Sequence, residues 1–465
     1  METSANTHME VCTITGNYFT NESSQTSGKL RRTLGGIITL GCGPYLSALD
    51  IFPSKMELLS AIVFGGGAVL GTAILLLLSW AIYYDFTRAK IPSEFEHPFK
   101  LHLLHMGLVV LFTLGKSLEV LHLCRQVTFI RFLMSFKKSR MDPGLSAKDL
   151  DFDGIPVRVY YPKTPSAGQR KGFVFYHGGA GMIGSIAYYQ DITSKFAKES
   201  QSVVVAVGYR LAPEHLFPTQ WEDCLTATVH FMKHAEDHGV DPSQIIIGGD
   251  SAGGNFASVI SQELLRQPDL PKLRAQVLIY PGVQAMDFNL PSYQQNCAMP
   301  VLFQDSVVYY GLKFFLKDSS LKDDILKGCH VPDEFRLKYK KWVSLDNIPE
   351  KFKRRGYKRI PLAPFKPEIY SQLPNILDTS FSSLLAEDVV MQQLPETFIA
   401  SCEYDVFRDD SILYKKRLED NGVKVTWFHA EQGFHGIINL CHMSLLQFPA
   451  GIEILDKAVD FVRNL

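Results

Sequence analysis

Gly249-Asp250-Ser251-Ala252-Gly253-Gly254 is the run whose residue types and spacing could do chemistry. It follows the apolar stretch Gln244-Ile245-Ile246-Ile247-Gly248 and precedes Asn255-Phe256-Ala257-Ser258-Val259-Ile260, which reads as a helix. Strand, tight turn and helix around the pattern Gly249-x-Ser251-x-Gly253 form the setting in which a serine hydroxyl projects from a sheet edge as a nucleophile. Glycine is required on both sides because a Cβ would collide with the neighbouring strand or helix. The first N–H groups of the following helix point at any anion that develops there. A tight turn with an incidental serine is the alternative, so the remaining parts must be sought.

An acyl-transferring serine needs oxyanion donors, a base and an acid that orients the base. Upstream, Lys171-Gly172-Phe173-Val174-Phe175-Tyr176 reads as a buried strand running into His177-Gly178-Gly179-Ala180-Gly181. That loop resembles the HGGG oxyanion motif of lipases and esterases. The N–H groups of Gly178, Gly179, Ala180 and Ala252 are the candidate donors. Downstream, Thr397-Phe398-Ile399-Ala400-Ser401-Cys402-Glu403-Tyr404 reads as a strand ending on Asp405, the candidate acid. Asp409 and Asp410 fall where the next helix begins and read as cap residues. Lys424-Val425-Thr426-Trp427-Phe428-His429 reads as a further strand, followed by Glu431-Gln432-Gly433-Phe434-His435-Gly436. His435, in a glycine-bracketed loop, is the candidate base. His429, on the strand, reads as structural. The order Ser251, Asp405, His435 is that of an α/β-hydrolase.

His177-Gly178-Gly179, the Gly249-to-Asn255 run, and Tyr209-Arg210-Leu211-Ala212-Pro213-Glu214 with Phe217-Pro218 together resemble the hormone-sensitive-lipase branch of the α/β-hydrolases. Cys402-Glu403-Tyr404-Asp405, Leu413-to-Asp420 and Gly433-Phe434-His435-Gly436 narrow the resemblance to the arylacetamide deacetylase-like members, from about Met56 to Leu465. The resemblance implies a membrane-anchored, cofactor-free serine hydrolase of the endoplasmic reticulum, its catalytic domain in the lumen. Lipophilic neutral substrates are implied: acylglycerols, short-chain esters or aryl acetamides. It also implies a rival, because the branch contains receptors that kept the fold and lost the catalytic histidine. This chain keeps His435. It departs from the family at Ala180, where glycine is usual. Alanine retains the N–H but is penalised if the loop needs φ > 0. Met182 stands about where arylacetamide deacetylase has a cysteine, so that family disulfide is not carried over.

The 465 residues and 46% hydrophobic content allow a large core. A net charge of -1 gives no electrostatic case for nucleic acid. None of the eight cysteines forms a C-x-x-C pair, so neither a zinc site nor a redox motif is indicated. No feature calls for an obligate protein partner.

Leu58 through Tyr84 carries no charge and is long enough to span a bilayer as a single-pass anchor, placed at 57–84. Trp80, Tyr83 and Tyr84 cluster at one end, as an interfacial belt does. Lys55 on one side against Arg88, Lys90 and Lys100 on the other leans toward a cytosolic C-terminal part, against the lumenal orientation the family implies. Residues 1–55 are expected to be a disordered extension or to precede a true start at Met56, with Asn21-Glu22-Ser23 an unused glycosylation sequon.

Phe99 to Gly115, interrupted by His102 and His105, reads as a cap or interfacial helix, and 85–150 as an N-terminal cap. The catalytic domain is expected over 151–465. Its strands alternate with helices from Val157, predicting a mostly parallel sheet with helices on both faces. Residues 283–394 break that rhythm and read as an inserted lid. Within them Lys351 to Arg359 is a basic run, read as a solvated face or a contact for anionic headgroups.

Overall fold

The computed structural model describes residues 55–137, 139–316 and 318–465. The chain divides into two units, Met1–Gly67 and Ala68–Leu465. The expectations for residues 1–54, including the sequon, lie outside the described residues.

Helix α1 (Lys55–Arg88) is followed by α2 (Pro98–Val120) and α3 (Gln126–Met134). Pro98 starts α2, where its missing N–H is one the helix would leave unbonded anyway. Among the described residues two stretches are long and apolar enough to cross a membrane, Ile62–Arg88 and Pro98–Val120. The second is longer than the sequence pattern suggested.

The sheet begins earlier than expected, at β1 (Leu145–Phe152), which pairs antiparallel with β2 (Ile155–Pro162). Residues 145–150 therefore belong to the sheet and not to the cap. Asp153 and Gly154 turn between them with φ of 53° and 88°, the geometry an Asp-Gly hairpin favours. Then come β3 (Arg170–Tyr176), α4 (Gln190–Ser200), β4 (Val203–Val207), α5 (Thr219–Lys233), β5 (Val240–Asp250), α6 (Ala252–Leu264) and β6 (Ala275–Ile279). Helices α7 (Pro291–Gln295), α8 (Gln304–Leu316), α9 (Lys322–Leu326), α10 (Asp333–Tyr339), α11 (Pro367–Tyr370) and α12 (Asp388–Met391) fill the insertion before β7 (Glu396–Tyr404). The chain ends with α13 (Arg408–Asp420), β8 (Val425–Phe434) and α14 (Pro449–Asn464).

Among the described residues eight strands form one sheet in the order β1-β2-β4-β3-β5-β6-β7-β8, parallel from β4 onward. Successive side chains on a strand point to opposite faces. Val203, Val205 and Val207 of β4 thus join Phe231 of α5 and Ile260 of α6 on one face, while Val204 and Ala206 join Phe196 of α4 and Val459 of α14 on the other. Both faces are covered, so the central strands read as continuous apolar runs. Each large apolar side chain fully buried this way contributes about 1.5–3 kcal/mol. The carboxyl ends of β3, β5, β7 and β8 converge, and all candidate catalytic side chains leave the sheet there.

Asp409 and Asp410 are not caps of α13. Both are fully buried. Asp409 accepts the Ser292 N–H at 2.7 Å, and Asp410 accepts the Val283 N–H at 3.0 Å and a bond from Gln284. They tie the start of the insertion to α13. Burial raises the Asp410 carboxyl to about 7 against its hydrogen bonds from Gln284 and Val283.

Candidate active site

Ser251 follows β5 with φ 53° and ψ -119°, and α6 starts at the next residue. This left-handed turn is affordable because the flanking glycines carry no side chain. A Cβ on Gly249 or Gly253 would be driven into the carbonyl oxygen of Tyr176 on β3. The Ser251 N–H is bonded to Ile279 O at 2.9 Å, which fixes the turn against β6.

The structure brings Ser251, His435 and Asp405 together. His435 follows β8, and its Nε2 lies 2.8 Å from Ser251 Oγ. Asp405 follows β7, and its Oδ2 lies 2.8 Å from His435 Nδ1. A carboxylate only accepts, so Nδ1 carries the proton and Nε2 is left to accept from the serine hydroxyl. The Asp405 side chain is buried, and its other oxygen accepts the Phe407 N–H at 2.9 Å. Asn296 holds the Asp405 carbonyl at 2.9 Å.

These side chains stand in a chain that is 44% identical to human arylacetamide deacetylase-like 3 over 386 residues, 83% of this chain and 95% of that one. The chain belongs to the arylacetamide deacetylase-like family of α/β-hydrolases. Residues 173–334 and 365–439 match the α/β-hydrolase fold family. Rat arylacetamide deacetylase is 36% identical over 380 residues, covering 80% of this chain and 95% of its own. Among solved structures, the thermophilic carboxylesterase EstE1 overlays with a TM-score of 0.52 at 26% identity, covering 73% of this chain and 95% of its own.

In this arylacetamide deacetylase-like chain the candidate oxyanion loop differs from expectation at one donor. The Gly178 N–H is taken by Asp250 Oδ1 at 2.8 Å. Gly179, Ala180 and Ala252 remain as candidate donors. His177 is a support: Tyr209 OH donates to its carbonyl oxygen at 2.6 Å, and its Nδ1 lies 2.8 Å from Gly178 O. Burial lowers its pKa to about 4, so it is neutral at pH 7. His429 is likewise structural, lying between Ser401 and Glu403. Burial opposes ionisation of Glu403, but its bond to His429 and the nearby Arg408 and Arg355 hold it down at about 2. Arg355 thus leaves the basic run to brace β7, and Phe352 of that run is buried.

Ala180 has φ 56°, the left-handed conformation that disfavours a side chain. Ala180→Gly is therefore expected to stabilise the fold by up to about 1 kcal/mol. It keeps the N–H, so turnover should hold within a few-fold. A lower melting temperature in the glycine variant would contradict the strain.

Asp250 is the supporting residue the sequence signalled least. Besides the Gly178 N–H it accepts from Tyr189 OH at 3.1 Å and Tyr280 OH at 3.3 Å. Burial raises its pKa from 3.8 to about 6. A carboxyl with a raised folded pKa loses stability as pH rises through the interval between unfolded and folded values. Asp250→Asn removes that dependence. The variant should therefore gain on the wild type by about 2 kcal/mol between pH 4 and 6 in urea melts. A constant difference across that window would show that Asp250 does not titrate there.

A cavity of about 630 Å³ opens over Ser251 and His435. Leu104, Leu108 and Phe112 of α2 and Ile130 of α3 form one wall, and Phe314 of α8 and Phe381 another. The N-terminal segment and the insertion therefore both shape it. Among the described residues no cluster of His, Cys, Asp or Glu could hold a metal ion, and Cys124, Cys224, Cys297, Cys329, Cys402 and Cys441 are free thiols.

Proposed function

We propose that the protein is a membrane-anchored serine hydrolase cleaving neutral, lipophilic carboxylic esters, acylglycerols among them, and acting also on aryl acetamides. The observation that carries the reading is the chain of two 2.8 Å hydrogen bonds from Asp405 through His435 to Ser251. Ser251 Oγ attacks the acyl carbon while His435 Nε2 takes its proton. The tetrahedral oxyanion accepts from the N–H groups of Gly179, Ala180 and Ala252. His435 then protonates the leaving alcohol or amine, and an acyl-Ser251 ester remains. Water, deprotonated by His435, hydrolyses it. Asp405 keeps the imidazole in the required tautomer and stabilises the imidazolium. Each oxyanion donor is worth about 10²–10³-fold in kcat in such sites. The mainly apolar lining of the cavity, with Glu119, Arg125 and Lys313 its charged members beside Asp250, supports a lipophilic substrate, since burying a charge on the apolar walls would cost its hydration.

Helix α1 is the anchor in this reading, and the family resemblance supports a lumenal catalytic domain. Protease protection in sealed microsomes tests that orientation; digestion without detergent would reverse it. Fluorophosphonate labelling tests the nucleophile. A phosphonyl adduct on Ser251, found by mass spectrometry, is expected. A folded protein that takes no label would point instead to a ligand-binding protein on the same fold.

A further inference from the structure

Helices α2 and α3 each present an apolar face on both sides. Inward, Leu104, Leu108 and Phe112 of α2 and Ile130 and Met134 of α3 line the cavity above Ser251. Outward, Leu103, Gly107, Val110 and Leu114 recur at i, i+4, i+7 and i+11, one stripe along α2. Leu103 is 46% and Leu114 41% exposed, Phe132 of α3 is 58% exposed, and Phe136, in the turn just after α3, is 60% exposed. A helix that merely roofed a cavity toward water would carry polar side chains outside. Contiguous exposed apolar surface of this kind marks a contact with a membrane or a partner.

The end of α1 indicates which. Asp85, on its last turn, is 1% exposed and receives His102 Nδ1 at 2.6 Å and His105 Nδ1 at 2.7 Å, both from α2. The exposed Phe86 ring stacks on His102 with centroids 6.3 Å apart. The end of α1 thus packs against α2 with the exposed Phe86 ring one residue from Leu103, where the outer stripe of α2 begins. On the opposite side of α2, Leu101, His105 and Val109 are buried in the catalytic unit. Lipid can reach only one face of this helix.

We propose that the outer face of α2 and the exposed end of α3 lie in the acyl region of the bilayer that α1 enters, so that the cavity receives its substrate from the membrane through this wall. The proposal rests on the hydrolase reading for the cavity's use, but its first test does not need turnover. The full chain is reconstituted in phosphatidylcholine vesicles containing phosphatidylcholine with a diazirine on one acyl chain. After illumination, adducts are mapped by mass spectrometry. Adducts are expected on α1 and on peptides carrying Leu103, Leu114, Phe132 and Phe136. Adducts on α1 alone would overturn the proposal. So would adducts on α1 and α2 with none on α3, which would make α2 a second span. No lipid adducts on these residues, together with chain-to-chain cross-links at them from a bifunctional reagent, would assign the face to a second copy. In a second arm, Leu103→Ser, Leu114→Ser and Phe132→Ser are combined. Hydrolysis of an ester held in vesicles should fall at least tenfold, with a water-soluble short-chain ester held within twofold. Equal loss on both substrates would reduce the face to a structural role.

Discussion

Asp405→Asn is expected to lower kcat on the order of 10⁴-fold while leaving KM within a few-fold. The reason is the tautomer. Asp405 can only accept from His435 Nδ1, 2.8 Å away, and so places the ring proton there. The amide of asparagine would present its NH₂ to Nδ1 and drive the proton to Nε2. Nε2 then has no lone pair for the Ser251 hydroxyl. The fold should survive, because asparagine still has an oxygen for the Phe407 N–H and the Asn296 bond goes to the backbone. Steady-state kinetics with circular dichroism as the folding control decides it. A loss below tenfold in a folded variant would mean that Asp405 does not orient His435.

Gly253→Ala should abolish activity and destabilise the fold by more than about 3 kcal/mol, the range of severe overpacking. The added methyl would sit 2.7 Å from the carbonyl carbon of Tyr176 and 2.9 Å from His177 O. Both are backbone atoms of the strand and loop that carry the proposed oxyanion donors, so they cannot rotate away. The neighbouring Gly254 is the control. A Cβ there meets Gly249 O and Pro281 Cβ at 3.2 Å, a tight contact that small shifts relieve. Denaturant melts should therefore rank Gly253→Ala well below Gly254→Ala. Equal stability of the two variants would show that the elbow does not depend on close approach of β3.

The elbow was legible in the sequence because its glycines answer a steric demand that leaves little choice. The order of Ser251, Asp405 and His435 was legible because each follows an apolar strand. Other features carry no local signal. Strand β1 buries only its end residues, Leu145 and Phe152, and the exposed Lys148, Asp149 and Asp151 disguise it as a loop; only pairing with β2 makes it a strand. Asp409 and Asp410 look like caps because cap residues and buried tethers share a residue type, and their partners at 283–292 are more than a hundred residues away in sequence. The engagement of Gly178 by Asp250 is a contact between two motifs, each complete when read alone. Likewise, the sequence of α2 gives its hydropathy but not which side faces the cavity.

The most direct test of the central claim is hydrolysis of short- and medium-chain p-nitrophenyl esters by the full-length protein in detergent, beside Ser251→Ala. The account predicts turnover in the wild type and a loss on the order of 10³- to 10⁶-fold in the folded variant, as when a triad nucleophile is removed. Equal rates in the two proteins would place the chemistry elsewhere, and a folded wild type without activity on any ester would contradict the hydrolase reading.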